Sequence, residues 1–117
     1  MGEYNGIERR KHPRVEYPPG KAPRLVIDGD TYPVVDISER GIKFQAARQN
    51  GFNAGLREVS GRIEFSDDRS AEVEGAIIRV EKSELSEDVR VVIFLYEEKA
   101  IPPTRIKTEQ AFVDGGD

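Results

Sequence analysis

Apolar residues in this chain recur mainly with a period of two, the spacing of strands that turn one face to a core and the other to water. Residues 15–17 predict a first short strand, and Pro18-Pro19-Gly20 a turn or extended connector. Arg24-Leu25-Val26-Ile27 is a β-branched run closed by Asp28-Gly29-Asp30, a strong hairpin signal. The returning strand is Thr31-Tyr32-Pro33-Val34-Val35-Asp36-Ile37, with Pro33 near its start or at an unpaired position. Ile42 and Phe44 alternate with Lys43 and Gln45 as a half-buried third strand, and residues 46–56, broken by Gly51 and Gly55, read as a loop. Residues 59–65 alternate again, with Ile63 and Phe65 on one face, and Asp67-Asp68 makes the next turn. Residues 73–80 form a further strand, in which Gly75 predicts a bulge or a close backbone approach. Residues 83–88 are polar. Residues 89–96, dense in β-branched and aromatic side chains, predict a buried strand. Pro102-Pro103-Thr104 opens a short helix that runs to residue 113, with Ile106, Ala111 and Phe112 as its only apolar anchors.

Six or seven short strands with regular turn signals favour an antiparallel sandwich or barrel, and closure would hide the edges of so small a sheet. The aromatics are expected to alternate into the core. At 117 residues the chain is one domain. It has no cysteine, which excludes disulfides, thiolate metal sites and thiol nucleophiles, and its one histidine, His12, argues against a histidine-rich zinc site. No apolar run approaches the roughly 20 residues of a membrane span and no apolar leader opens the chain, so a soluble cytoplasmic protein without membrane insertion is expected. The paired carboxylates Asp67/Asp68 and Glu97/Glu98 fall on polar, turn-like stretches, and no Ser-His-Asp set has a recognisable context. An enzyme is not expected.

Charge changes the picture at the N-terminal end. The net charge is −4, from 18 Lys and Arg against 22 Asp and Glu, yet residues 1–24 hold six Lys/Arg against three Glu. Four of the basic residues fall in Glu-Arg-Arg-Lys-His-Pro-Arg, residues 8–14. Each guanidinium is a planar fork that fits phosphate oxygens or the O6/N7 edge of guanine. Duplex DNA or RNA would need a broader basic face, and an oligonucleotide-binding barrel an aromatic-lined groove, so a small anionic ligand suits the pattern better. A solvated basic tail is the plain alternative.

The second informative stretch is Asp36-Ile37-Ser38-Glu39-Arg40-Gly41. Asp36 and Ser38 alternate with apolar neighbours and should point to one side at a strand end. Gly41 is free to take the positive φ of a tight turn and so bring backbone close to a ligand. A carboxylate can accept from both N1–H and N2–H₂ of guanine. An ordinary turn, with both side chains serving local backbone donors, explains the stretch equally well taken alone.

Together, Arg10-x-x-x-Arg14 followed by Asp36-x-Ser38-x-x-Gly41 resembles the PilZ domain family, over essentially the whole chain. The resemblance implies an all-β fold: a six-stranded antiparallel β-barrel (residues 15–113, with a short C-terminal helix), preceded by a flexible basic arm (1–14) and followed by a tail (114–117). It also implies binding of the bacterial second messenger cyclic di-GMP, with no cofactor or metal. Arg10 and Arg14 would clamp guanine edges and phosphates, Asp36 would read the guanine donor edge, Ser38 would add a hydrogen bond and Gly41 would leave room. In the family, the residue before the first motif arginine is associated with one or two intercalated nucleotides. Here it is Arg9, which points to a nucleotide dimer. Arg79 is a secondary stacking candidate, set against an ordinary paired surface arginine. The expected mechanism is ordering of the arm on binding, read by a downstream protein in motility, biofilm or exopolysaccharide control. The alternative is an interaction module of the same fold that ignores nucleotide.

Overall fold

The structure, a computed structural model, describes residues 13–53, 58–82 and 86–115. Among these, the strands are β1 (Val15–Glu16), β2 (Arg24–Ile27), β3 (Asp30–Ser38), β4 (Gly41–Ala47), β5 (Glu58–Glu64), β6 (Ser70–Lys82) and β7 (Asp88–Leu95), followed by one helix, α1 (Pro103–Val113). Strands β3-β2-β5-β6-β7-β4 hydrogen-bond in that order, and β4 returns to β3. The result is a closed six-stranded antiparallel barrel. β1 lies outside the ring and pairs only with β3, through Val15↔Ile37 and Glu16↔Asp36.

Two hairpin turns show how local chemistry sets the ring. Between β2 and β3, Asp28 and Gly29 both sit in the left-handed region (φ 53° and 86°), which an Asp-Gly pair enters at little cost and which matches the strand twist. Between β3 and β4 the turn is also two residues long, Glu39 and Arg40, flanked by the pair Ser38↔Gly41. Here the expected positive φ at Gly41 is not found, and neither Glu39 nor Arg40 adopts one. Bonds from elsewhere hold this turn instead: the Leu95 N–H donates to the Arg40 carbonyl at 2.9 Å and the Ile101 N–H to the Glu39 carbonyl at 2.8 Å.

Inward-facing side chains fill the barrel, with Leu25, Phe44, Ile63, Ile77, Ile93 and Leu95 all less than 2 % exposed. Burying each stabilises the fold by roughly 1.5–3 kcal/mol. Tyr32, Phe44 and Phe52 pack with ring centroids 5.3–5.5 Å apart, tilted or edge-on. Gly75 provides a close approach rather than a bulge: a Cβ there would collide with the Phe94 carbonyl oxygen and come within 2.9 Å of Ile93 Cγ2. The bulge lies further along β6, where the register with β7 shifts between Ile77 and Arg79.

Several expectations need correction. β4 continues through Ala47 and leads into a 3-10 turn at Arg48–Asn50, because Ala46 still packs inward at 4 % exposure. β7 is not buried on both faces: Val91, Ile93 and Leu95 take the inside, which by alternation sends Phe94 outward, 45 % exposed. The aromatics therefore do not all enter the core. In α1, Ile106 is buried as expected but Ala111 is exposed, and the second buried position is Glu109 at 2 % exposure. Glu109 can be buried because the Tyr17 hydroxyl donates to its Oε1 at 2.7 Å and Arg105 Nη1 to its Oε2 at 3.0 Å. Among the described residues no helix is long and apolar enough to cross a membrane.

Candidate functional site

An open groove runs across the outer face of four adjacent strands, β3, β4, β7 and β6, and two β-bulges set what lines it. In β3 the register with β4 shifts between Val34 and Asp36, making Val35 an extra residue. The alternation that places Tyr32 and Val34 inside therefore restarts with Ile37 inside, and Asp36 and Ser38 both border the groove. In β6 the matching irregularity at Ile78 leaves Ile77 in the core and puts Ile78 and Arg79 side by side on the groove. Gly41 and Lys43 from β4, and Val92 and Phe94 from β7, supply the floor. The volume is about 260 Å³, below the roughly 300–1,000 Å³ of enclosing small-molecule pockets, so a ligand would lie on this face rather than inside it.

The groove is mainly cationic. Arg14, just before β1, reaches Asp36 with Nη1 3.6 Å from Oδ2; its side chain stays 39 % exposed while that of Asp36 is 9 % exposed. Burial pushes the Asp36 carboxyl above its ordinary pKa, and the charges of Lys43 and Arg14 offset only part of that. Lys43 and Arg79 share Glu81, at 3.2 Å and 2.8 Å. Burial works against the Glu81 charge, but the hydrogen bonds from Lys43 and Arg79 prevail and hold its carboxyl below the usual range. Arg40 Nε donates to the Leu95 carbonyl at 2.9 Å, and its Cζ lies 4.6 Å from the centroid of the Phe94 ring.

Of the residues singled out from sequence, Arg14, Asp36, Ser38, Gly41 and Arg79 meet on this groove. Arg9 and Arg10 lie outside the described residues. Gly41 contributes space rather than an unusual backbone angle: a Cβ there would stand 3.2 Å from Ser38 Oγ. Arg79 is ion-paired, as the plainer reading had it, and lines the groove as well. Sequence reasoning missed Arg40, Lys43, Ile78 and Phe94. Strict alternation in β4 and β7 would have flagged Lys43 and Phe94 as outward-facing; nothing in the local sequence announces the bulge that exposes Ile78.

Residues 8–100 match the family model of the PilZ domain. The chain belongs to the PilZ domain family. No curated protein matches it closely enough to count as a relative. PilZ domains are generally modules that bind cyclic di-GMP and are typically not enzymes. The matched span includes both motif halves and every groove residue named above, so the PilZ domain and the groove are the same part of the chain.

Proposed function

We propose that this PilZ domain is a receptor that binds cyclic di-GMP on the groove and presents a changed surface to a downstream protein. The observation that carries the reading is the Arg14–Asp36 pair, set beside Ser38 and Gly41 on one open cationic face. At 3.6 Å that contact is long for a hydrogen bond, and burial works against the Asp36 charge. A guanine edge offers Asp36 two N–H donors in its place and frees Arg14 for O6/N7 or for phosphate. Ser38 supplies a hydroxyl that has no hydrogen-bond partner among the described residues, and Gly41 leaves the space beside it open. Arg10 completes the arginine clamp, and Arg9 adds a third fork that favours two intercalated nucleotides.

Titration calorimetry with cyclic di-GMP tests the reading, with GTP as control and an Arg10→Ala/Arg14→Ala variant beside the wild type. The expected result is selective binding by the wild type, lost in the variant, with close to two nucleotides per chain. Hydrogen exchange over residues 1–14 should change on adding nucleotide. No heat and no competition at saturating ligand would leave the nucleotide-independent interaction module.

A further inference from the structure

We infer that Phe94 and Arg40 form a shelf on which one purine base of the ligand stacks, a contact that the two motif halves do not supply; the inference rests on the receptor reading above. Phe94 projects from β7 at 45 % exposure and is one of two large apolar side chains exposed on the groove, with Ile78 at 52 %. Its cross-strand neighbours are Gly41 on β4 and Ala76 on β6, neither long enough to cover the ring. Phe94 therefore keeps exposed ring surface for a planar partner beside the Arg40 guanidinium that lies over it.

Arg40 is held in place over it. The backbone of Leu95 serves Arg40 twice: its N–H donates to the Arg40 carbonyl at 2.9 Å and its carbonyl accepts from Arg40 Nε at 2.9 Å. Arg14, Lys43 and Arg79 each have a carboxylate partner, whereas among the described residues none pairs with Arg40. Its guanidinium lies 4.6 Å from the ring centroid with its terminal nitrogens left for an anion. An aromatic face beside a guanidinium that has no carboxylate partner among the described residues suits a nucleotide, whose base stacks while its phosphate takes the charge. Stacking reads only a π-face, so the shelf adds affinity and leaves the choice of base to Asp36.

The test titrates wild type, Phe94→Leu, Phe94→Tyr and Arg40→Gln with cyclic di-GMP by calorimetry and follows the guanine H8 resonance by proton NMR. Phe94→Leu keeps apolar cover but loses the ring, and should bind about tenfold more weakly, within the range for single base–aromatic stacks. An upfield H8 shift should appear with wild type and Phe94→Tyr and vanish with Phe94→Leu; Arg40→Gln should weaken binding severalfold. The mixed cyclic GMP–AMP dinucleotide should lose the same factor on Phe94→Leu, whereas Asp36→Asn should change the ratio between the two ligands. Wild-type binding with Phe94→Leu unchanged in affinity and H8 shift would overturn the shelf and leave the receptor reading standing. Absence of any cyclic di-GMP binding by the wild type would end both.

Discussion

Replacing Tyr17 by phenylalanine deletes one oxygen from a network that ties the barrel to its helix. The Tyr17 hydroxyl donates to Glu109 Oε1 at 2.7 Å, and Arg105 Nη1 bridges Glu109 Oε2 and Asp67 Oδ2, each at 3.0 Å. Arg105 also lies 4.5 Å from the centroid of the Phe65 ring. Because Glu109 is only 2 % exposed, water cannot readily take the place of the lost donor. A hydrogen bond to a charged, buried acceptor contributes about 1.5–3 kcal/mol. At about 4 °C per kcal/mol for a domain of this size, the melting temperature should fall by roughly 6–12 °C. A double-mutant cycle with Glu109→Gln should return a coupling of at least about 1 kcal/mol. The pH dependence gives an independent check. Burial, then the Glu109 hydrogen bond, push the Tyr17 pKa far above its ordinary value of 10.0. The unfolded chain therefore loses that proton first, and stability that is complete below the ordinary value drains away as pH climbs toward the folded one. The variant lacks this drain, so the gap between wild type and variant should narrow in strongly alkaline solution. A change under about 0.5 kcal/mol, together with a gap indifferent to pH, would refute the account of Glu109 as a charge held by Tyr17.

Gly75→Ala should destabilise the barrel by about 3 kcal/mol in urea unfolding, because the new methyl meets backbone of β7, which cannot step aside as a side chain could; a loss below about 1 kcal/mol would show that the strands yield. Asp36→Asn should raise the melting temperature while weakening nucleotide binding. Burial raises the Asp36 pKa, so its favourable contribution is present below the ordinary carboxylate value and is lost as pH rises through the folded value. The advantage of the variant should thus be largest near neutrality and disappear in acid; an advantage that persists in acid would mean that something other than charge burial is at work. Cyclic di-GMP affinity should fall as pH drops through the raised Asp36 value, since the guanine edge needs the carboxylate. Calorimetry across the acidic range checks this, and an affinity that stays constant there would count against Asp36 as the base reader.

The barrel was legible because strand periodicity and turn chemistry agree: Asp28-Gly29 fixes one hairpin, and the alternation of residues 59–65 fixes an inner face. Arg14 and the Asp-x-Ser-x-x-Gly stretch fall on the groove, and that stretch could be read locally because a turn and a strand end leave its residues close in sequence. The rest depends on register. Whether Val35 or Ile78 is the extra residue of a bulge is decided by what the neighbouring strand presents, which local pattern does not encode. The same limit hid Phe94, which sits in a continuous apolar run whose two faces become distinct only when Val91, Ile93 and Leu95 claim the interior. Glu109 escaped notice because a carboxylate on a helix reads as solvated until a tyrosine and an arginine from elsewhere converge on it.

Closure of the ring restricts how another protein can recognise this one. Each of the six barrel strands has a strand on both sides over part of its length, and there its backbone hydrogen-bonding groups are committed to the ladder. Among the described strands only β1 has a single neighbour; it is two residues long, and α1 packs against it. Among the described residues a partner therefore has little sheet margin on which to add a strand of its own, the sequence-tolerant mode by which many peptide-binding domains work. One such stretch is residues 77–82 of β6, which pair with β7 alone. Elsewhere on the barrel, recognition passes through side chains, and the side chains gathered on the groove are those that a bound nucleotide would cover or rearrange.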